Sequence, residues 1–261
     1  MFAMESIFQH FRKEEQPFIE KVNSWVKEVE DTYAPKLTEF LDPRQRFITE
    51  SIVRNSDLVI ASEGGFPDAE RKRVLIYPDY YTPSEDDFQI SFYQVQYPQK
   101  FVNMKHSQLL GSLLSLGIDR SRFGDIRITE EAVQFAVTAE VSEYIHVNFT
   151  QVGKVKVSIQ PVLNADDVID VQEEWTEEMH IISSLRLDTV VASLAKCSRA
   201  KASSLIKGEK VKVNWAIIDQ QAFEVEEQDI LSVRGFGRYK IIGIEGRTRK
   251  DKIRVVIGAL V

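Results

Sequence analysis

The sequence predicts an α+β protein in three parts: a helical N-terminal region over residues 1–69, a mixed layer of strands and helices over 70–165, and a small basic module over 183–261 that follows an acidic linker at 166–182. Three observations carry this reading. Apolar residues recur at helical spacing in the first part, the period shortens toward two after residue 70, and the charge changes sign along the chain. From Ser183 onward there are 15 Lys and Arg against 9 Asp and Glu, a balance of +6, whereas residues 1–182 carry −13 of the overall −7. An acidic body joined to a cationic module points to a polyanion as one partner.

In the first part, Ile7, Phe8, Phe11, Phe18, Val22, Trp25, Val26 and Val29 lie mostly three, four or seven residues apart. That is the pattern of amphipathic helices, with Pro17 either interrupting them or opening a second one. A further helix is expected over 43–55, because Asp42 suits an N-cap and Pro43 the first helical position. ASEGGFPDAERKR, 61–73, reads as a loop, and its RKR at 71–73 as an ordinary exposed entry to a strand.

The second part opens with VLIY (74–77) and FQISFYQVQY (88–97), strand-like runs bounded by Pro78, Pro83 and Pro98. HSQLLGSLLSLG then predicts a helix capped by Ser107 and stopped by Gly117. DIRI and VQFAVTA read as a strand pair, VSEYIHVNFTQVG as a helix and KVKVSIQPV as a strand. Strand, helix, strand, strand, helix, strand is the order of a ferredoxin-like, or RRM-like, domain with an extra strand in front. An RRM stacks bases on sheet aromatics, and Phe88, Phe92, Tyr93, Tyr97, Phe101 and Phe135 are available. Alternation along 88–97 assigns many of them to the core, and the acidic DYYTPSEDDF discourages phosphate. A protein-facing role is the expectation there.

The third part is the most informative. Leu187, Val190, Val191 and Leu194 form a helical stripe; Ser198 offers a cap to a second helix, RAKASSLIK, whose Ala202, Leu205 and Ile206 can pack on the first. Gly208 is expected to stop that helix in a left-handed conformation. Alternation then buries Val211, Val213 and Trp215 and shows Lys210, Lys212 and Asn214, so one side of the unit is expected to be cationic. RGFGRYKI, 234–241, looks at first like the start of an RNP1 strand, but it carries Arg238 and Ile241 where aromatics belong and lies about twenty residues from the end of the chain. It reads better as a strand and turn. GRTRKDKIR, 246–254, is either a phosphate-binding loop or a solvated hairpin turn before the closing strand IRVVIGALV.

RLD at 186–188, SRAKASSLIKGEKVKVN at 198–214 and DILSVRGFGRYKI at 229–241 together resemble the small RNA-binding domain known from bacterial ribosomal protein S-four, also called the alpha-L motif. HFRKEEQPFIEKV at 10–22, LTEFLDPRQ at 37–45 and AERKRVLIYPDY at 69–80 extend the likeness over nearly the whole chain, to the YlmH-type proteins of Gram-positive bacteria. The resemblance implies a ribosome-associated factor that binds rRNA, and tRNA on stalled large subunits still holding peptidyl-tRNA, with a further link to cell division. It also places Arg186 and Asp188 on the binding surface, although Asp188 could equally orient Arg186 or cap the first helix. Charge and spacing supply the remaining candidates: Ser198, Arg199, Lys201, Lys207, Lys210, Lys212, Asn214, Arg234, Arg238 and Lys240.

Catalysis finds little support. His10, His106, His146 and His180 lack metal-ligand spacing, and Cys197, the single cysteine, stands beside the Ser198 cap with no histidine near it in sequence. GFG at 235–237 lacks a dinucleotide site's third glycine and no P-loop occurs, so no cofactor is expected. No apolar run approaches the roughly 18 residues of a membrane span, and charge enters the N-terminus before a signal-peptide core develops, which together predict a cytoplasmic protein. The expectation is therefore a non-enzymatic RNA-binding factor. The alternatives are an RNA modifier of the pseudouridine-synthase type, whose catalytic aspartate and surroundings are not identifiable, and a cell-division adaptor.

Overall fold

The computed structural model describes residues 11, 13–170 and 175–260. The chain forms two compact units, residues 1–171 and 172–261.

The first unit begins with α1 (Gln16–Thr32), in which Pro17 occupies the first turn rather than an interruption. Its buried stripe is Ile19, Val22, Trp25 and Val29: Val22, Trp25 and Val29 are as expected, Ile19 joins them, and Phe18 and Val26 are only partly buried; residues 1–10 of the expected helical pattern lie outside the described residues. The helix α2 (Pro43–Val53) starts as expected, with the Asp42 carboxylate accepting from the Gln45 N–H and the Gln45 side chain returning to the Asp42 N–H. The region is not purely helical, however. Strands β1 (Lys36–Leu41), β2 (Leu58–Glu63) and β3 (Lys72–Pro78) form an antiparallel sheet in the order β1-β3-β2 under these helices. The VLIY strand, expected to open the middle domain, is thus the centre of the N-terminal sheet. Buried on both faces, β3 reads as a continuous apolar run, which hides the hairpin partners that flank it.

Next come β4 (Ile90–Gln96), α3 (His106–Leu114), β5 (Phe123–Ile128), β6 (Val133–Thr138), α4 (Ala139–Asn148) and β9 (Ser158–Pro161), with a two-residue hairpin, β7 (Gln151–Val152) and β8 (Val155–Lys156), before the last strand. The sheet order β5-β6-β4-β9, antiparallel throughout, is the ferredoxin-like arrangement. Two ends differ from expectation. Lys105, not Ser107, precedes the first turn of α3, and α4 stops at Asn148, where Phe149 leaves the helical conformation at φ −85° and ψ 88° and the chain passes into the hairpin, whose own turn holds Gly153 at φ 58°.

The second unit is a six-stranded antiparallel sheet in the order β10-β15-β14-β13-β11-β12 with two helices, α5 (Leu187–Leu194) and α6 (Arg199–Lys207), packed on one face. Its strands are β10 (Trp175–Ile182), β11 (Val211–Val213), β12 (Ala216–Ile217), β13 (Ile230–Val233), β14 (Gly237–Arg247) and β15 (Ile253–Leu260). The segment expected to be linker therefore ends in a strand: β10 pairs with all eight residues of β15. Its acidic, mostly exposed composition concealed that pairing.

Candidate nucleic-acid interface

The cationic residues of the second unit are held by three local devices. The first is a buried carboxylate. Leu187 and Asp188 are fixed at the start of α5 by backbone bonds to Phe223 and Gln221, and Arg186 bridges to Glu224. Asp188 is 3% exposed. It accepts from Arg186 Nε and Nη2, both at 3.3 Å, and from Arg199 Nη2 at 2.6 Å, with the Thr189 hydroxyl at 3.3 Å. Of the two roles open to it from sequence, it orients Arg186, and it holds Arg199 as well. Burial pushes the carboxyl pKa up, but hydrogen bonds and charge from the two arginines outweigh that and hold it below the usual carboxylate range. The aspartate stays ionised and two guanidinium planes are pinned, while both arginines keep substantial exposure. A planar fork with donors to spare, fixed in orientation, suits a phosphate.

This pinning has a pH signature. Because the folded pKa of Asp188 is depressed, its stabilisation is complete above its unfolded value of about 4 and is lost as pH falls through the folded value. Acid titration of thermal stability is expected to show a slope below about pH 4 that Asp188→Asn flattens. Identical acid limbs in the two proteins would refute the assignment.

The second device is the start of α6. The Ser198 hydroxyl accepts from the Lys201 N–H at 3.2 Å, as predicted. Arg199 leans toward α5 and Asp188, while Lys201, two residues on, stands roughly 200° further round the helix. Lys201 and Lys207 are exposed. Gly208 does not take the left-handed conformation expected of it: its φ is −86°, and Glu209, at φ 55°, makes the turn instead. A Cβ at Gly208 would lie 3.1 Å from the Ser204 carbonyl oxygen, so close approach rather than handedness is what glycine provides there.

The third device is the sheet. Val211 and Val213 are buried against the helices, and register places Lys212, Ser232 and Arg238 in one row on the opposite face, with Lys240 next along β14. Trp215 does not join the valines in the core. Asn214 and Trp215, at φ 48° and 64°, form a two-residue turn between β11 and β12 of the kind that right-handed strand twist favours, and the Arg238 guanidinium lies 5.8 Å from the Trp215 ring centre. Asn214 is tied to Asp229, donating to its carboxylate at 2.7 Å and accepting from the Ile230 N–H at 2.9 Å. Lys210 is exposed where the chain leaves α6, and Arg234 is exposed in the β13–β14 turn, where Gly235 and Gly237 take positive φ. RGFGRYKI is thus strand and turn, as read. The expectation of one cationic side needs correcting: Arg186, Arg199, Lys201 and Lys207 ride on the helical layer, whereas Lys212, Arg238 and Lys240 project from the sheet face away from it. GRTRKDKIR is a hairpin turn closed by Arg247 on Asp251.

In the first unit, the sheet face on which an RRM would stack bases is covered. Ala136, fully buried in β6, packs with Phe40, Phe66, Ala69, Phe92 and Val168, and the Gln134 side chain bonds to the backbone of Asp167 and Ile169. Phe135 and Tyr93 point into the core on the other side. RKR at 71–73 is not an exposed strand entry. Arg71 donates to Phe123 and Phe40 carbonyls, and Arg73, 2% exposed, to Thr38, Phe88 and Gln89 carbonyls and to Glu140. Sequence reasoning missed this clamp because a basic triplet beside a glycine loop has the composition of a solvated turn.

His146 stacks on Tyr93, His180 bonds to Ser193, and Cys197 is half-buried against the C-terminal core. Among the described residues, no three His, Cys, Asp or Glu side chains are grouped to hold a metal, and no helix is long and apolar enough to cross a membrane.

Residues 14–81 match the family described as "YlmH, N-terminal", residues 83–166 "Putative RNA-binding domain in YlmH", and residues 185–231 "S4 domain". The chain is 42% identical over 253 residues to the "Ribosome-associated protein quality control protein P2" of Bacillus subtilis (strain 168), covering 97% of this chain and 98% of that one. A solved structure, "Cell division protein ylmH from Streptococcus pneumoniae", is similar with a TM-score of 0.54 and 35% identity, covering 61% of this chain and 98% of that chain. With an α+β body and a helix-capped cationic module in the same order, the chain belongs to the YlmH family and carries a C-terminal S4 domain.

Proposed function

We propose that the protein is a non-enzymatic, cytoplasmic RNA-binding factor of the ribosome that docks on rRNA, with tRNA, of stalled large subunits during translation quality control. The observation that carries this reading is the Asp188 clamp, which holds Arg186 and Arg199 as fixed, exposed cationic forks beside the capped start of α6. The name of the Bacillus subtilis relative supplies the ribosomal setting. Binding without catalysis fits the chemistry of the interface. Its cationic groups are donors, and its one buried carboxylate is engaged by two guanidiniums rather than placed to move a proton. Ser198, Lys201, Lys207, Lys210, Lys212, Asn214, Arg234, Arg238 and Lys240 complete the proposed contact set. The covered sheet of the first unit leaves that domain's role to other surfaces, and its acidic balance favours a protein partner.

Phosphate contacts release counterions, so log affinity for ribosomal RNA should fall linearly with log salt, by about 0.7 to 0.9 per phosphate neutralised. Filter binding from low to high salt measures the slope. A flat salt dependence defeats the reading. A role in cell division is a second reading, favoured by the name of the pneumococcal structure.

A further inference from the structure

Strand β10 ends the six-stranded sheet, and its eight residues pair with β15 in unbroken register. Among the described residues, no strand lies on its other side. A long, regular free edge is a template for another strand, and proteins usually shorten, bulge or cover such an edge. The side chains of β10 are also unusual for this unit. Glu177 and Glu178 sit mid-strand in the sequence EEWTEEM, an acidic tract just ahead of the basic stretch that runs from Ser183 onward with a balance of +6. Beyond them, Met179 and Ile181 are 46% and 56% exposed on the sheet face away from the helices. The segment lies outside the residues matched as S4 domain, so the RNA-binding module does not account for it.

We propose that β10 is a docking edge for an extended basic segment of a protein partner, which adds as a seventh, antiparallel strand. Register fixes what such a segment carries. An antiparallel strand that places apolar residues beside Ile181 and Met179 brings its next two residues opposite Glu178 and Glu177, where Lys or Arg pairs across the strands and acidic residues repel. The partner motif is therefore apolar, any, apolar, basic, basic. The same two carboxylates oppose a second copy of this chain, because β10 paired with β10 about its acidic centre would bring like charges together. Main-chain bonds would supply affinity and the alternating side chains selectivity. This site is independent of the RNA interface proposed above.

The test uses the full-length protein and two fluorescein-labelled peptides, TVTVKRT and TVTVEET, read by anisotropy. The basic peptide is expected to bind saturably and at least about tenfold more tightly than the acidic one, and E177K/E178K is expected to reverse that order. Both glutamates are exposed, so the variant should keep its circular dichroism spectrum and its affinity for ribosomal RNA; loss of the spectrum moves the same test to E177Q/E178Q, which should equalise the two peptides. Equal affinity for the two peptides in the wild type, or an unchanged order in the variant, overturns the proposal. A dimer in sedimentation velocity that E177K/E178K abolishes would assign the edge to a second copy and overturn it equally.

Discussion

Charge reversal at Arg199 and Lys201 together is expected to abolish co-sedimentation with ribosomes at moderate salt and to weaken RNA binding by roughly a hundredfold or more. Each lost phosphate contact lowers the salt slope by about 1, so the double variant should lose about 2 from it, and two introduced carboxylates add repulsion. Arg199 contributes more than charge. Its Nη2 holds Asp188 at 2.6 Å, and R199E would set a second carboxylate against a buried one. R199Q with K201E avoids that repulsion and separates the two effects. If it keeps its melting temperature and still loses the ribosome, the loss belongs to the interface and not to folding. Intact ribosome association in both variants would overturn the site assignment. A strain carrying R199Q/K201E also separates the two functional readings, because a division role independent of the ribosome should survive in it.

How much of this was legible before the structure follows from where the information lies. The caps at Asp42 and Ser198, the core stripe of α5, most of that of α1, and the alternation of Val211 to Val213 depend on residues within one or two turns of each other, and they appear in the structure as read. What went unread depends on distant partners. A strand buried on both faces gives no alternation, so β3 could not reveal β1 and β2 beside it. Nothing local at Asp188 says that Arg199, eleven residues on, will reach it, although the likeness to the S-four domain puts Asp188 on the binding surface and the charge pattern makes Arg199 a phosphate-contact candidate. Trp215 continues the alternation of β11 on paper, yet two consecutive left-handed residues end the strand before it. The opposed placement of Arg199 and Lys212 is a matter of layers, which follow from packing and register rather than from charge counts.

The largest effect on stability is expected at Arg73, far from the RNA interface. Its guanidinium, 2% exposed, donates through Nε to the Thr38 carbonyl at 2.8 Å, through Nη1 to those of Phe88 and Gln89 at 3.0 and 2.9 Å, and through Nη2 to Glu140 at 3.0 Å. One side chain thus ties β1 of the N-terminal sheet to the start of β4 and the first turn of α4. Burial pulls its pKa down and Glu140 only partly offsets this, so the charge itself is costly and the hydrogen bonds are what make it tolerable. Arg73→Ala removes donors from several carbonyls and opens a cavity, with an expected loss of about 3–5 kcal/mol and a fall in melting temperature on the order of 10 °C. Arg73→Lys is the sharper experiment. An ammonium keeps the charge and pays the same burial, but it cannot present a planar fork in three directions at once, so most of the loss should remain. A lysine variant that melts with the wild type would show that charge alone joins the two sheets, and that the geometry of the fork contributes nothing.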